Sequence, residues 1–229
     1  MEEQLYQACE DGKVEDVVRL LQNSQININW QNQNDDLRTP LNIACQKGHL
    51  DIVKLLLKDE KIEVDKATNY GATPFNSACY NGHLEIVKLL LNDERVDVNK
   101  AANDGWTSLW SACVHGHIEI VKLLLNDQRV DVNKAGNVGF GTPFYVACRY
   151  GRTVVVKYLL ERGREIDINK KNNNGKTGLD IAREEEKTDI VELIESFQKN
   201  PNETRERLKK EYAELSGNFI FYSNLGINK

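Results

Sequence analysis

Residues 82–101 read GHLEIVKLLLNDERVDVNKA, and residues 116–135 read GHIEIVKLLLNDQRVDVNKA. Two of the twenty positions differ, Leu84/Ile118 and Glu94/Gln128, and both changes are mild. Near-identity at an offset of 34 residues is the signature of a repeat array. It turns the reading of the whole 229-residue chain into a search for further copies.

Working outward, six units emerge, at about residues 1–34, 35–68, 69–102, 103–137, 138–172 and 173–197. Their common landmark is a threonine column, Thr39, Thr73, Thr107, Thr142 and Thr177, spaced 34, 34, 35 and 35 residues apart. Threonine followed by proline fits a helix entry, because the hydroxyl can accept from the first free N–H groups and proline suits the first turn. A short helix follows, closed in the third unit by Gly82, which supplies the positive φ a tight reversal wants. A second helix carries Leu84, Ile86, Val87, Leu89, Leu90 and Leu91 around most of its circumference, as in a helix held between neighbours. Val96, Val98 and the Asn99-Lys100 pair then lead into a polar, glycine-containing turn that reads as a hairpin finger. One unit cannot bury so many leucines alone. Each is worth roughly 1.5–3 kcal/mol when buried, so the units must stack.

The segments TPLNIACQKGHLDIVKLLL and TPFNSACYNGHLEIVKLLL, with the recurring DVNK, resemble ankyrin repeats over about residues 1–197. The resemblance implies an all-α repeat solenoid, a gently curved stack of helix-turn-helix pairs with β-hairpin or loop fingers at one edge. Fingers and first helices would line a concave face, with the second helices forming the convex back. The sequence departs from the family pattern in four places. Asn42, Asn76, Trp110, Tyr145 and Asp180 stand where the family has the histidine of TPLH. The period is 34–35 rather than 33, with extra length at residues 93–96 or 138–140. The first unit lacks Thr-Pro, and the sixth has Glu186 and Lys187 in place of the turn glycine and its histidine. The two end units therefore read as polar caps of a solenoid.

Residues 198–229 are not repeat-like. Asn200, Pro201 and Glu203 make a helix start, Leu208, Tyr212 and Leu215 fall on one face, and Gly217 can end the helix before the apolar run 219–222. The tail reads as a C-terminal helix and strand-like apolar arm that caps the stack or docks on another protein.

Apolar and charged fractions of 40% and 28% suit a folded soluble chain, and the net charge is −5 with no basic cluster. Nucleic acid and anionic membrane are therefore not expected as partners. The apolar runs are too short to span a bilayer, and the acidic N-terminus has no signal-like apolar segment, which points to cytoplasm or nucleus. Cys9, Cys45, Cys79, Cys113 and Cys148 share one repeat position and read as small buried reduced thiols. Stacked helices lie about 8–10 Å apart, whereas a disulfide needs Cα atoms within about 7 Å. His49, His83 and His117 recur after the turn glycine and read as turn residues; His115 stands outside that column. Lysines 54, 88, 122 and 157, and the finger lysines 66, 100, 134 and 170, read as solvated faces, with the finger row able to steer an acidic partner. Neither a catalytic constellation nor a metal or cofactor motif is present.

Function in an array must lie where copies differ. The divergent positions carry Tyr70, Tyr80, Trp106, Trp110, His115, Phe140, Tyr145, Arg149 and Tyr150. Tyrosine, tryptophan and arginine dominate binding hot spots. These nine residues are the candidate contact set of a non-enzymatic, monomeric module that binds a protein or peptide on its concave face. A regulatory inhibitor or effector using the same face, and a structural piece assembling through the tail, are the alternatives.

Overall fold

The structure is a computed structural model that describes residues 1–137, 139, 141–162 and 166–224, with side chains described as far as residue 213. Among the described residues there are thirteen helices and no strand. Twelve form consecutive pairs: α1 (Glu2–Asp11) with α2 (Val14–Leu21), α3 (Pro40–Lys47) with α4 (Leu50–Leu57), and α5 (Pro74–Asn81) with α6 (Leu84–Leu91). They continue as α7 (Ser108–His115) with α8 (Ile118–Asn126), α9 (Pro143–Arg149) with α10 (Thr153–Arg162), and α11 (Gly178–Glu184) with α12 (Thr188–Lys199). The last is α13 (Pro201–Asn224). The fold is an all-α repeat solenoid, and its fingers are turns rather than β-hairpins. The nearest approach to a hairpin is an isolated antiparallel bridge between Asn32 and Arg38.

Each first helix after α1 begins the same way. Thr39, Thr73, Thr107, Thr142 and Thr177 accept through their hydroxyls from the backbone N–H three residues on. In the units of Thr39, Thr73 and Thr177 the residue at that third position, Asn42, Asn76 or Asp180, also accepts from the threonine N–H, completing a capping box. First helices pack closely on their neighbours and second helices less so, which curves the stack with the first helices inside. The core is one continuous column that includes Phe75, Phe144, Leu41, Leu56, Leu90, Leu109 and Leu124, all within 2% of full burial. All five cysteines lie in it as free thiols.

The units are bound to one another by side chains that repeat with the array. His49, His83 and His117 reach back with Nε2 to the carbonyls of Glu10, Gln46 and Tyr80, at 2.9–3.0 Å. Gly82 sits under the His117 ring: its φ is +79°, and a Cβ there would lie 2.7 Å from the ring carbon Cε1. Glycine is thus required twice, by conformation and by the next unit's side chain. In the fifth unit Arg152 takes the histidine's place and donates to the carbonyl of Val114 at 2.6 Å. The finger asparagines make a second ladder. Asn99 donates to the carbonyl of Arg129 (2.6 Å) and accepts from the N–H of Asp131 (2.7 Å), and Asn29 does the same toward Lys61 and Glu63.

Finger lysines form a third ladder, which corrects their reading as a free charge row. Lys100, Lys134 and Lys170 donate at 2.9 Å to the carbonyls of Asp65, Asn99 and Asn133 in the preceding finger. The extra residues of the long period also have work in the stack. Arg95 and Arg129, each paired with an aspartate two residues earlier, donate to the carbonyls of Leu57 and Leu91 at the ends of the preceding second helices. A guanidinium suits a helix C-terminus, where carbonyls are unsatisfied and the dipole is negative.

The tail departs from expectation. The helix does not stop at Gly217 but runs to Asn224, so residues 219–222 have helical backbone and make no strand-like arm. The side chains of Leu215 and of residues 219–222 lie outside the described residues. Helix α13 folds back across α12 and α10. Leu208 is fully buried, Tyr212 packs edge-on against Tyr158 and donates to the carbonyl of Val154, and Lys157 pairs with Glu211 at 2.8 Å. Lys157 is therefore a contact of the tail rather than a solvated lysine.

Candidate functional site

The surface that varies between units lies where the fingers meet the last turns of the first helices. There the cap geometry sets which side chains face outward. The third residue of each first helix points under the finger, so Trp110 (7% exposed) and Tyr145 (2%) are buried and do not form contact surface. This corrects their assignment to the candidate set. Asn42 and Asn76 are buried at the same register, and a ring at this position fills the space an amide occupies in those units.

The remaining aromatics divide in two. Tyr80, at the end of α5, lies against His115, at the end of α7, with ring centroids 4.1 Å apart. Tyr80 also meets Trp106, in the fourth finger, at 6.5 Å, and Trp106 rests on buried Trp110 at 6.5 Å. Tyr70, 61% exposed at the tip of the third finger, joins Tyr80 and Trp106 around a cleft of about 350 Å³. Arg38, Gln46, Asn81 and Asp104 line the same cleft. Burial first, then the charges of His117 and Arg152, hold His115 below the ordinary histidine range, so the aromatic cluster is uncharged at neutral pH.

Arg149 and Tyr150 stand apart from this group. The Arg149 guanidinium lies 5.8 Å from the Tyr150 ring and 3.7 Å from Glu185, beside a second cleft of about 400 Å³ under Gly139, Lys176 and Glu184. Phe140 lies outside the described residues.

Two residues of the first cleft, Arg38 and Asp104, were not singled out by sequence, though a signal existed. Residues immediately before the threonine column are Arg38, Ala72, Trp106, Gly141 and Lys176, and no two are alike. Residues three before it begin Asp36, Tyr70, Asp104. The backbone chains those three tips together: Asn69 donates to the carbonyl of Asp36, Asn103 to that of Tyr70 and Asn137 to that of Asp104, at 2.7–2.9 Å.

Among the described residues no group of histidine, cysteine and acidic side chains could hold a metal ion, and no helix is long and apolar enough to cross a membrane. The five thiols are pushed up by burial, Cys9 to about 12 and the others further, so none is a thiolate at neutral pH.

A family model described as "Ankyrin repeats (3 copies)" matches residues 5–102, 62–135 and 130–205. The crystal structure of EF0377, an ankyrin repeat protein, superposes with a TM-score of 0.73 at 28% identity, covering 84% of this chain and 96% of that one. A comparison with curated proteins finds no match.

Proposed function

The chain belongs to the ankyrin-repeat family, a family of general protein–protein interaction modules, and from that premise we propose that it is a non-enzymatic, monomeric binder of a protein or peptide segment. The contact surface is the concave cleft of the second to fourth units, with Tyr70, Tyr80, Trp106 and His115 as its aromatic part and Arg149 and Tyr150 as a second contact along the same face. One observation carries the reading. Most repeated polar side chains at the fingers and turns are engaged in bonds between units, whereas the non-repeating aromatics at the cleft are left partly or largely exposed. Rigid, half-exposed aromatics give contact area at little cost in side-chain entropy, and they are the residue types that anchor interfaces.

The alternative of assembly through the tail has less support over residues 201–213, because Leu208, Glu211 and Tyr212 are already engaged by this chain's own α10. We take that part of α13 as a cap. The test is affinity capture from the native cell with wild type and with Tyr80→Ala/Trp106→Ala, followed by calorimetry on the partner recovered. The expected result is at least a hundredfold loss of affinity with unchanged helical circular dichroism. Equal affinity for both forms would refute the reading.

A further inference from the structure

The cleft of the second to fourth units combines aromatic faces with a carboxylate, Asp104, that no cation of the lining balances. Three successive finger tips present Asp36, Tyr70 and Asp104, and Trp106 and Tyr80 stand beneath them. Among the described residues the one cation lining the cleft is Arg38, and its own finger neutralises it: it pairs with Asp35 and, at 2.9 Å, with Asp36. Asp35 is further occupied by the Tyr6 hydroxyl, which donates to it. Asp104 is exposed, and no lysine or arginine among the described residues pairs with it. Two carboxylates thus hold the Arg38 guanidinium, and a third, Asp104, without a cationic partner and beside three aromatic rings, lines the cleft of about 350 Å³. That is the small end of the range for ligand sites, the size of one side chain rather than of a cofactor.

A cation over tyrosine and tryptophan faces is attracted by the ring quadrupoles, most strongly when partly desolvated, and a nearby carboxylate adds a charge term that a neutral group cannot use. We infer that the aromatic and acidic cleft of Tyr70, Tyr80, Trp106 and Asp104 receives the alkylammonium head of a lysine-type side chain from the bound partner. This rests on the binding reading above and adds the chemistry of the group recognised. The neutral Gln46 and Asn81 side chains on the first-helix side then offer donors and acceptors to the partner's backbone on either side of that lysine.

Choline and 3,3-dimethylbutan-1-ol test this directly, since they share a shape and differ in charge. The readout is the Trp106 indole N–H resonance in the full chain, assigned with Trp106→Phe. Choline is expected to shift it saturably and to bind at least tenfold more tightly than the alcohol. Asp104→Asn, an exposed change that leaves the core intact, should weaken choline severalfold without changing the alcohol. Acetyl-lysine amide should fail where lysine amide and trimethyl-lysine amide bind. Equal binding of the two isosteres, no shift with choline, or indifference to Asp104→Asn would each overturn the inference. If Tyr80→Ala/Trp106→Ala abolishes partner binding while choline and its isostere behave alike, only the cationic assignment falls. If partner binding survives that double substitution, the underlying reading falls with it.

Discussion

At the scale of single residues, the array is informative where one member of a column cannot do what the others do. Asp65 stands in the column of Asn29, Asn99 and Asn133. It accepts from the N–H of Asp97 at 2.9 Å as they do from their equivalents, but a carboxylate has no N–H to give the neighbouring carbonyl. Its second oxygen is buried without a partner, and burial above all, partly offset by the Asp97 N–H, raises its proton affinity. Asp65→Asn should therefore stabilise the protein by about 1 kcal/mol at neutral pH, the worth of one restored hydrogen bond. The sign of the pH dependence follows from the raised folded-state pKa. The wild type is penalised above that value and gains relative to the variant as pH falls, and the gap closes below the unfolded carboxylate value of about 3.9. Urea unfolding of both forms from neutral to acidic pH measures this; a gap that stays constant would rule out Asp65 ionisation as its cause. Asn42 shows the same logic in another column. Asn76 gives its amide to Ser108 Oγ at 2.8 Å, but the residue equivalent to Ser108 one unit earlier is Pro74, and the Asn42 amide nitrogen is left buried without a partner. Ser108→Ala should remove the shorter of the two bonds that the Asn76 amide gives, leaving it the Lys100 carbonyl at 3.2 Å, and cost about 1 kcal/mol, read from the same unfolding curves.

Among the elements, α13 differs most from its sequence reading, and the reason is physical. Helix ends are legible when a cap or a breaker meets solvent. Gly217 costs a helix only about 1 kcal/mol, and a helix already held to α10 and α12 by Leu208, Tyr212 and Glu211 extends past it. The helix-pair stack itself was legible, though not the turn form of its fingers, because thirty-odd residues of pattern recur and each copy confirms the others. Legibility fails for features that depend on the adjacent unit. Nothing local to Trp110 or Tyr145 says that the finger covers it, and nothing local to Lys100 says that its ammonium reaches back to Asp65. The worn turn of the sixth unit belongs here too. Glu186 adopts φ +54° where Gly82 has +79°, and no later unit lays a ring over it, so only the conformational cost remains. Removing residues 200–229 exposes the α10 and α12 surface that α13 covers, so the expected outcome is a lower Tm with most helicity retained and choline binding unchanged, since the cleft lies in the second to fourth units. Circular dichroism and the Trp106 resonance check it; loss of choline binding on truncation would mean the tail reaches further along the stack than its contacts show.

Over the whole molecule, stability is approximately a sum of unit terms and nearest-neighbour terms, and the ladders identify what the neighbour terms are made of. Asn99 alone joins the third unit to the fourth by two short bonds, and His117, Lys134 and Arg129 cross the same junction. At the far end the equivalent Asn169 has no following finger, and among the described residues its carboxamide oxygen meets Gln198 alone, at 3.3 Å. The position of a cut in the stack should then matter as much as its energy. Asn99→Ala removes two bonds, about 2 kcal/mol, from the middle of the column and leaves each half with its own cap. Asn169→Ala removes one weak contact from the last finger of the stack. The expected outcome is a broadened or two-step urea transition for Asn99→Ala, with amide exchange raised in α5 to α8 and unchanged in α1 and α11. For Asn169→Ala the transition should keep its steepness, with exchange raised only in α11 to α13. Equal displacement of both curves at constant steepness would show instead that the six units unfold as one cooperative body, with the junctions too strong for a single rung to uncouple.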